Sequence, residues 1–138
     1  MDDRATTMPG MTQESPVTLA IGGSAAAGDV ARHLTGGRAV RAVDGRTVLV
    51  YAGAAAAVRD VTAYLRPRAM SFVRFGLEAG EPQPNRDRFG GPAVTGAQAL
   101  ADRAGPRELL LSETVRESLT GTAVEPAGDG TYRLSGTG

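Results

Sequence analysis

The chain contains no cysteine, no tryptophan and no lysine, and its only histidine is His33. Without cysteine there are no disulfides and no thiol chemistry. One histidine alone does not furnish a zinc centre of imidazole and thiolate ligands. Every basic residue is an arginine, so any role needing a compact ammonium that can lose its proton is closed, because guanidinium stays charged. Aromatic residues are sparse, at 4%, which leaves the core to Ala, Val and Leu. An excess of either charge is also missing, since 15 acidic residues balance 15 arginines. That balance argues against a non-specific nucleic-acid binder or a polybasic membrane anchor. No apolar run reaches the length of a membrane span, and the start Met1-Asp2-Asp3 lacks the basic region of a signal peptide. The expectation is a cytoplasmic protein with no nucleic-acid or membrane partner.

What is present suffices for one domain. At 138 residues and 41% hydrophobic content, the chain is long enough to bury a real core. Residues 1–15 are polar and aperiodic and read as a disordered tail, leaving 16–138 as the domain. Val17 to Ile21 reads as a strand running into Gly22-Gly23, with Ser24 capping a helix over Ala25 to Leu34. Arg38 to Val43 and Arg46 to Ala52 alternate as strands about a two-residue Asp44-Gly45 turn. Ala54 to Leu65 has helical spacing and stops at Pro67. Ser71 to Ala79 reads as a strand and Glu81 to Gly91 as a polar loop. Pro92 opens a helix carrying Val94, Ala97, Leu100, Ala101 and Ala104. A short strand at Glu108 to Leu111 is followed by a helix from Glu113 to Leu119, capped by Ser112. Ala123 to Glu125 and Thr131 to Leu134 flank the turn Gly128-Asp129-Gly130. This succession predicts an α+β fold, a mainly antiparallel sheet with helices packed on it. Phe75, Leu77, Val94, Leu100, Leu109, Leu111, Val115 and Leu119 are its expected buried residues.

From Val73 the chain reads VRFGLEAGEP, from Phe89 FGGPAVTGAQALADRAGPRELLLSETVRESL, and from Gly130 GTYRLSGTG. This order resembles the C-terminal two-thirds of a class III nucleotidyl cyclase catalytic domain, whose usual strings run close to VRIGLHTGE, FGPAVNLAARLAALAGPGEILLSETVR and YRLKG. The resemblance implies a ferredoxin-like cyclase core. Its most specific stretch is AVTGAQALADRAGPRELLLSETVR.

The framework matches while the family's chemical residues do not. The first metal carboxylate, in a D-I-x-G-S-type turn, falls on Ala20. The second falls on Gly45, or on Asp44 with a one-residue shift, although Asp44-Gly45 is equally a simple hairpin turn. The base-reading lysine falls near Arg41, and its partner on Arg88 or Asp87. The transition-state Asn and Arg, four apart on one helix, fall on Thr95 and Ala99. The phosphate-contacting lysine falls near Ser135 or Thr137. Family members also carry a longer helical segment before the second strand than Ala25 to Leu34 allows.

The resemblance therefore implies a degenerate, truncated cyclase-homology domain that is not an enzyme, has no cofactor, and acts in signalling through protein association. Family sites form between two domains, and both half-sets are broken here. The alternative is a non-catalytic nucleotide or anion sensor, with Gly22, Gly23 and Ser24 at a helix N-terminus and Arg41, Arg86 and Arg88 adding charge. A divergent active cyclase using Asp29, Asp44 or Asp87 is the remaining possibility. Loss of the roofing helix and of polar catalytic groups predicts an exposed apolar face, and hence a homodimer or stable heteromer.

Overall fold

The computed structural model describes residues 15–23 and 27–134. The tail up to residue 14, Ser24, Ser135 and Thr137 lie outside the described residues. The first half of the chain is a split β-α-β-β-α-β unit: β1 (Val17–Gly22), α1 (Ala27–Ala31), β2 (Arg38–Arg41), β3 (Thr47–Tyr51), α2 (Ala54–Leu65) and β4 (Arg74–Ala79). The second half adds β5 (Gln83–Asn85), β6 (Arg88–Gly90), α3 (Pro92–Arg103), β7 (Leu109–Ser112), α4 (Glu113–Ser118), β8 (Val124–Gly128) and β9 (Thr131–Leu134). One seven-stranded sheet runs β2-β3-β1-β4-β7-β9-β8. Its first four strands have the ferredoxin-like order. Every pairing in it is antiparallel except β4 with β7, because the chain crosses back over the sheet through α3 before β7 starts.

Strand alternation divides the side chains between two faces. Val17, Leu19 and Ile21 of β1 join Leu49, Tyr51, Phe75, Leu77, Leu109 and Leu111 in the larger core, which α1, α2 and α4 close with Val30, Ala57, Val61, Leu65 and Val115. The intervening residues face α3, where Ala20, Ala42 and Val48 pack with Val94, Ala97 and Ala101. Among the expected core residues all are buried except Leu119. It follows the last residue of α4 and is half-buried against the larger core.

A short α1 still closes its corner of the sheet because Asp60 ties the following loop down. Its carboxylate accepts from the Tyr51 hydroxyl at 2.9 Å and from the Gly36 N–H at 2.8 Å. Burial, with this carboxylate beside it, holds the Tyr51 phenol well above its ordinary value. At the other end of α2, the Arg107 guanidinium donates to the carbonyls of Leu65 at 2.8 Å and Arg68 at 3.0 Å. This places a cation at the negative end of α2, on carbonyls that also accept from the Arg68 and Ser71 N–H groups.

Several local expectations are corrected. The turn between β2 and β3 has three residues, not two: the Ala42 N–H donates to the Arg46 carbonyl at 2.8 Å, and Val43, Asp44 and Gly45 form the loop. Gly45 adopts φ 92°, the left-handed step that ends such a loop with a bulge. The expected Ser24 cap and first turn from Ala25 lie outside the described residues, and α1 ends at Ala31 rather than Leu34. β4 begins at Arg74, leaving Phe72 outside the strand and 69% exposed. The segment read as a polar loop holds the small hairpin β5–β6.

Candidate functional site

Of the expected nucleotide-site positions, Ala20 lies on the face of the sheet covered by α3. That helix sits very close to the sheet because glycine and alanine meet there. A Cβ on Gly76 of β4 would lie 2.1 Å from the Ala97 carbonyl oxygen, and one on Gly22 would lie 3.1 Å from the Ala101 carbonyl oxygen. Ala20 pairs with Val48 on one side and Gly76 on the other, and is 1% exposed. The first metal-carboxylate position is thus an apolar contact beneath α3. Gly22, expected in an anion-binding turn, is the buried last residue of β1. Only Gly23 of the Gly22-Gly23-Ser24 string is both described and exposed. The helix that follows is described from Ala27 to Ala31.

Asp44, the alternative metal ligand, is already engaged. Its carboxylate accepts from the Arg46 N–H at 3.0 Å, the Arg46 Nε at 2.9 Å and the Gln98 amide at 3.3 Å. Arg46 reaches on to Asp102 at 3.4 Å. Partial burial pushes the Asp44 carboxyl up, but the hydrogen bonds from Arg46 and Gln98 and the Arg46 charge outweigh it and hold the carboxyl below its ordinary value. The cation in this cluster is a guanidinium, pinning the β2–β3 hairpin to α3. No group of three or more His, Cys, Asp or Glu side chains suited to a metal ion occurs among the described residues.

Sequence reasoning missed Arg46, Gln98 and Asp102 as members of the cluster. Gln98 was the available signal, a polar residue among the apolar positions of α3. It is buried, and Asp102 lies one turn further along.

The transition-state positions share the outer side of α3. Thr95 and Ala99 are both exposed. The Thr95 hydroxyl is turned back on its own helix, donating to the Gly91 carbonyl at 3.0 Å. Arg41 and Arg88 both serve the β2–β3 turn, donating to the carbonyls of Gly45 at 3.4 Å and Val43 at 3.5 Å. Asp87 lies in the β5–β6 turn and is exposed, and Arg86 beside it takes φ 62°. Asp29 is on α1, paired with Arg32. The structure thus brings Asp44, Gly45, Arg41 and Arg88 to one hairpin, and sets Ala20 apart under the helix.

The predicted exposed apolar face is not found. α3 covers the central strands on that side, and the large apolar residues exposed among the described ones are Val43, Met70 and Phe72. No described helix is long and apolar enough to cross a membrane.

An α+β domain with this strand order and a helix laid over β1 and β4 has the class III nucleotidyl cyclase catalytic fold. Solved structures bear this out across most of the chain. A cyclase/hydrolase from Silicibacter pomeroyi superposes with TM-score 0.59 at 16% identity, covering 86% of this chain and 93% of that one. The monomeric guanylyl cyclase domain of the rhodopsin fusion protein from the aquatic fungus Blastocladiella emersonii gives TM-score 0.65 at 13% identity, covering 89% and 96%. A non-canonical dimeric form of the same fungal domain gives 0.61 at 13%, covering 89% and 95%. At such identities the likeness is one of fold. No protein-family profile and no curated protein matches the sequence.

Proposed function

We propose that this chain is a catalytically inactive cyclase-homology domain that acts by associating with another protein or with a second copy of itself. The observation that carries the reading is the burial of Ala20 under α3. Two-ion phosphoryl transfer needs carboxylates facing an open site. A side chain at position 20 faces Ala97 and Ala101 instead, while Asp44 is spent on Arg46 and Gln98. Thr95 and Ala99 supply no positive charge to a developing phosphoryl anion.

Association is supported by the fold rather than by a large apolar face. One fungal domain of this fold has been crystallised in monomeric and in dimeric form, and α3 presents small exposed residues, Thr95 and Ala99, to a neighbour. With only three large apolar residues exposed among the described ones, the contact is of the weak, regulated kind rather than an obligate dimer. Incubation with manganese and either ATP or GTP tests inactivity, and measurable cyclic nucleotide overturns it. Sedimentation at micromolar concentration, alone and in native extract, tests association. A single species near 14.2 kDa under both conditions refutes it.

A further inference from the structure

The two edges of the sheet are treated differently. β8 is blunted by Pro126 and by a shift of register between Pro126 and Gly128, two devices that stop an edge from pairing onward. β2, at the opposite edge, has neither proline nor bulge, and Arg38, Ala39 and Arg41 are exposed. The direction of its backbone groups is fixed by two bonds at its end. The Ala42 N–H donates inward to Arg46, and the next one, that of Val43, donates outward to the Phe89 carbonyl of β6 at 2.9 Å. Alternation along an antiparallel strand then turns the N–H and C=O of Ala39 and Arg41 outward, away from β3. The bridge from Ala42 to Phe89 is itself parallel strand addition on this edge and, with the Val43 bond, takes up the Arg41 carbonyl, so that the Arg41 N–H and both groups of Ala39 remain outward.

The charged side chains of β2 itself, Arg38 and Arg41, are of one sign, and Arg88 lies beside them. Among the described residues the Arg38 side chain has no hydrogen bond or ion pair, and the Arg41 and Arg88 guanidiniums donate to backbone carbonyls alone. Five other arginines, Arg32, Arg46, Arg103, Arg116 and Arg133, have carboxylate partners. Pairing β2 with a second copy of itself would crowd these guanidiniums together, so a second copy is a poor occupant.

We propose that the β2 edge is a docking site for an extended acidic segment of a partner protein, which adds a strand through the N–H and C=O of Ala39 and the N–H of Arg41 and sets carboxylates against Arg38, Arg41 and Arg88. Backbone pairing supplies the geometry and the arginines supply the selection. The inference rests on the association half of the reading above and not on inactivity.

The test uses the intact chain and a blocked Glu-Val-Glu-Val-Glu peptide, followed by amide chemical shifts and amide exchange. Binding below about 1 mM is expected, with shifts and slowed exchange concentrated at Ala39 and Arg41. Ala39→Pro removes an outward N–H and no β3 bond, and should weaken binding by about tenfold. Arg38→Glu with Arg41→Glu should do at least the same. Should Ala39→Pro not fold, an N-methylated peptide removes the ladder from the other side and should also fail to bind. Equal binding of a proline-interrupted acidic peptide would show mere charge attraction and overturn the proposal. So would no binding at millimolar peptide, or preferential binding of a single-stranded oligonucleotide at the same residues. None of these results bears on cyclase turnover or on sedimentation, so the edge and the broader reading fail separately.

Discussion

Replacing Gly76 with alanine tests the seating of α3 on the sheet. The added methyl would lie 2.1 Å from the Ala97 carbonyl oxygen, 2.4 Å from the Ala101 nitrogen and 2.8 Å from the Leu100 Cβ. The first two are helix backbone, so no rotamer change relieves them. Carbon contacts are optimal near 3.5–4.0 Å, so α3 must retreat by about 1 Å, enough to forfeit a quarter to a half of each dispersion contact it makes. Those contacts involve Ala93, Val94, Ala97, Leu100 and Ala101, all buried. Overpacking of this kind costs about 3 kcal/mol, which lowers the melting temperature of a domain this size by about 10 °C. Gly28→Ala is the matched control, since nothing lies within 4 Å of a Cβ there and the residue is exposed on α1. It should stabilise by about 0.5 kcal/mol. Thermal and urea unfolding followed by circular dichroism read both. A Gly76→Ala protein within about 0.5 kcal/mol of the parent would refute the close seating of α3 and the burial of Ala20 derived from it.

Ala20→Asp should cost about 3 kcal/mol by burying a carboxyl beneath Ala97 and Ala101, and the double variant with Gly45→Asp, strained at φ 92°, should be less stable still and make no cyclic nucleotide; turnover in that variant contradicts the argument from Thr95 and Ala99. Arg107 occupies a left-handed position, φ 61°, where the resembling family string carries glycine. Arg107→Gly relieves that strain but loses the two bonds to α2, and Arg107→Ala loses the bonds and keeps the strain, so urea midpoints should fall in the order Arg, Gly, Ala, with Ala about 2 kcal/mol below the parent. Asp44 has a folded pKa below its ordinary 3.8, so its contribution is fully present above the ordinary value and disappears as pH falls through the lowered one. Asp44→Asn should therefore flatten the acid limb of the stability profile below about pH 4 while costing under about 1 kcal/mol at neutral pH, the pair being exposed.

Long periodic segments carried their structure openly. The spacing of Val58, Val61 and Leu65 and of Val94, Ala97 and Ala101 defined α2 and α3, and Phe75, Leu77, Leu109 and Leu111 showed which strands were central. β5 and β6 gave no such signal. Each has three residues, and most of their side chains are partly or fully exposed, so no apolar alternation marks them, and Pro82 and Pro84 read as loop. The Asp44-Gly45 pair announced a turn, but loop length is set by the Ala42–Arg46 pairing, which depends on contacts with α3 and β6. The candidate site entered from the sequence as four expected positions, Ala20, Gly45, Thr95 and Ala99. Its closure was not legible, because closure depends on how near α3 approaches Gly76, and nothing local to Ala20 reveals that distance.

Gly76 and Gly22 also constrain how the chain can change. A carboxylate at position 20 becomes tolerable only after α3 has been lifted or Ala97 and Ala101 have been reshaped, and either step alone loosens the contact that seats the helix. The intermediate sequences are thus less stable than both the start and the end, and the order of substitutions matters more than their number. In evolutionary terms the packed glycine-alanine interface narrows the open paths: even the smallest step, from glycine to alanine at position 76, meets helix backbone, and any route to an acidic residue at position 20 passes through a valley of poorly folded chains.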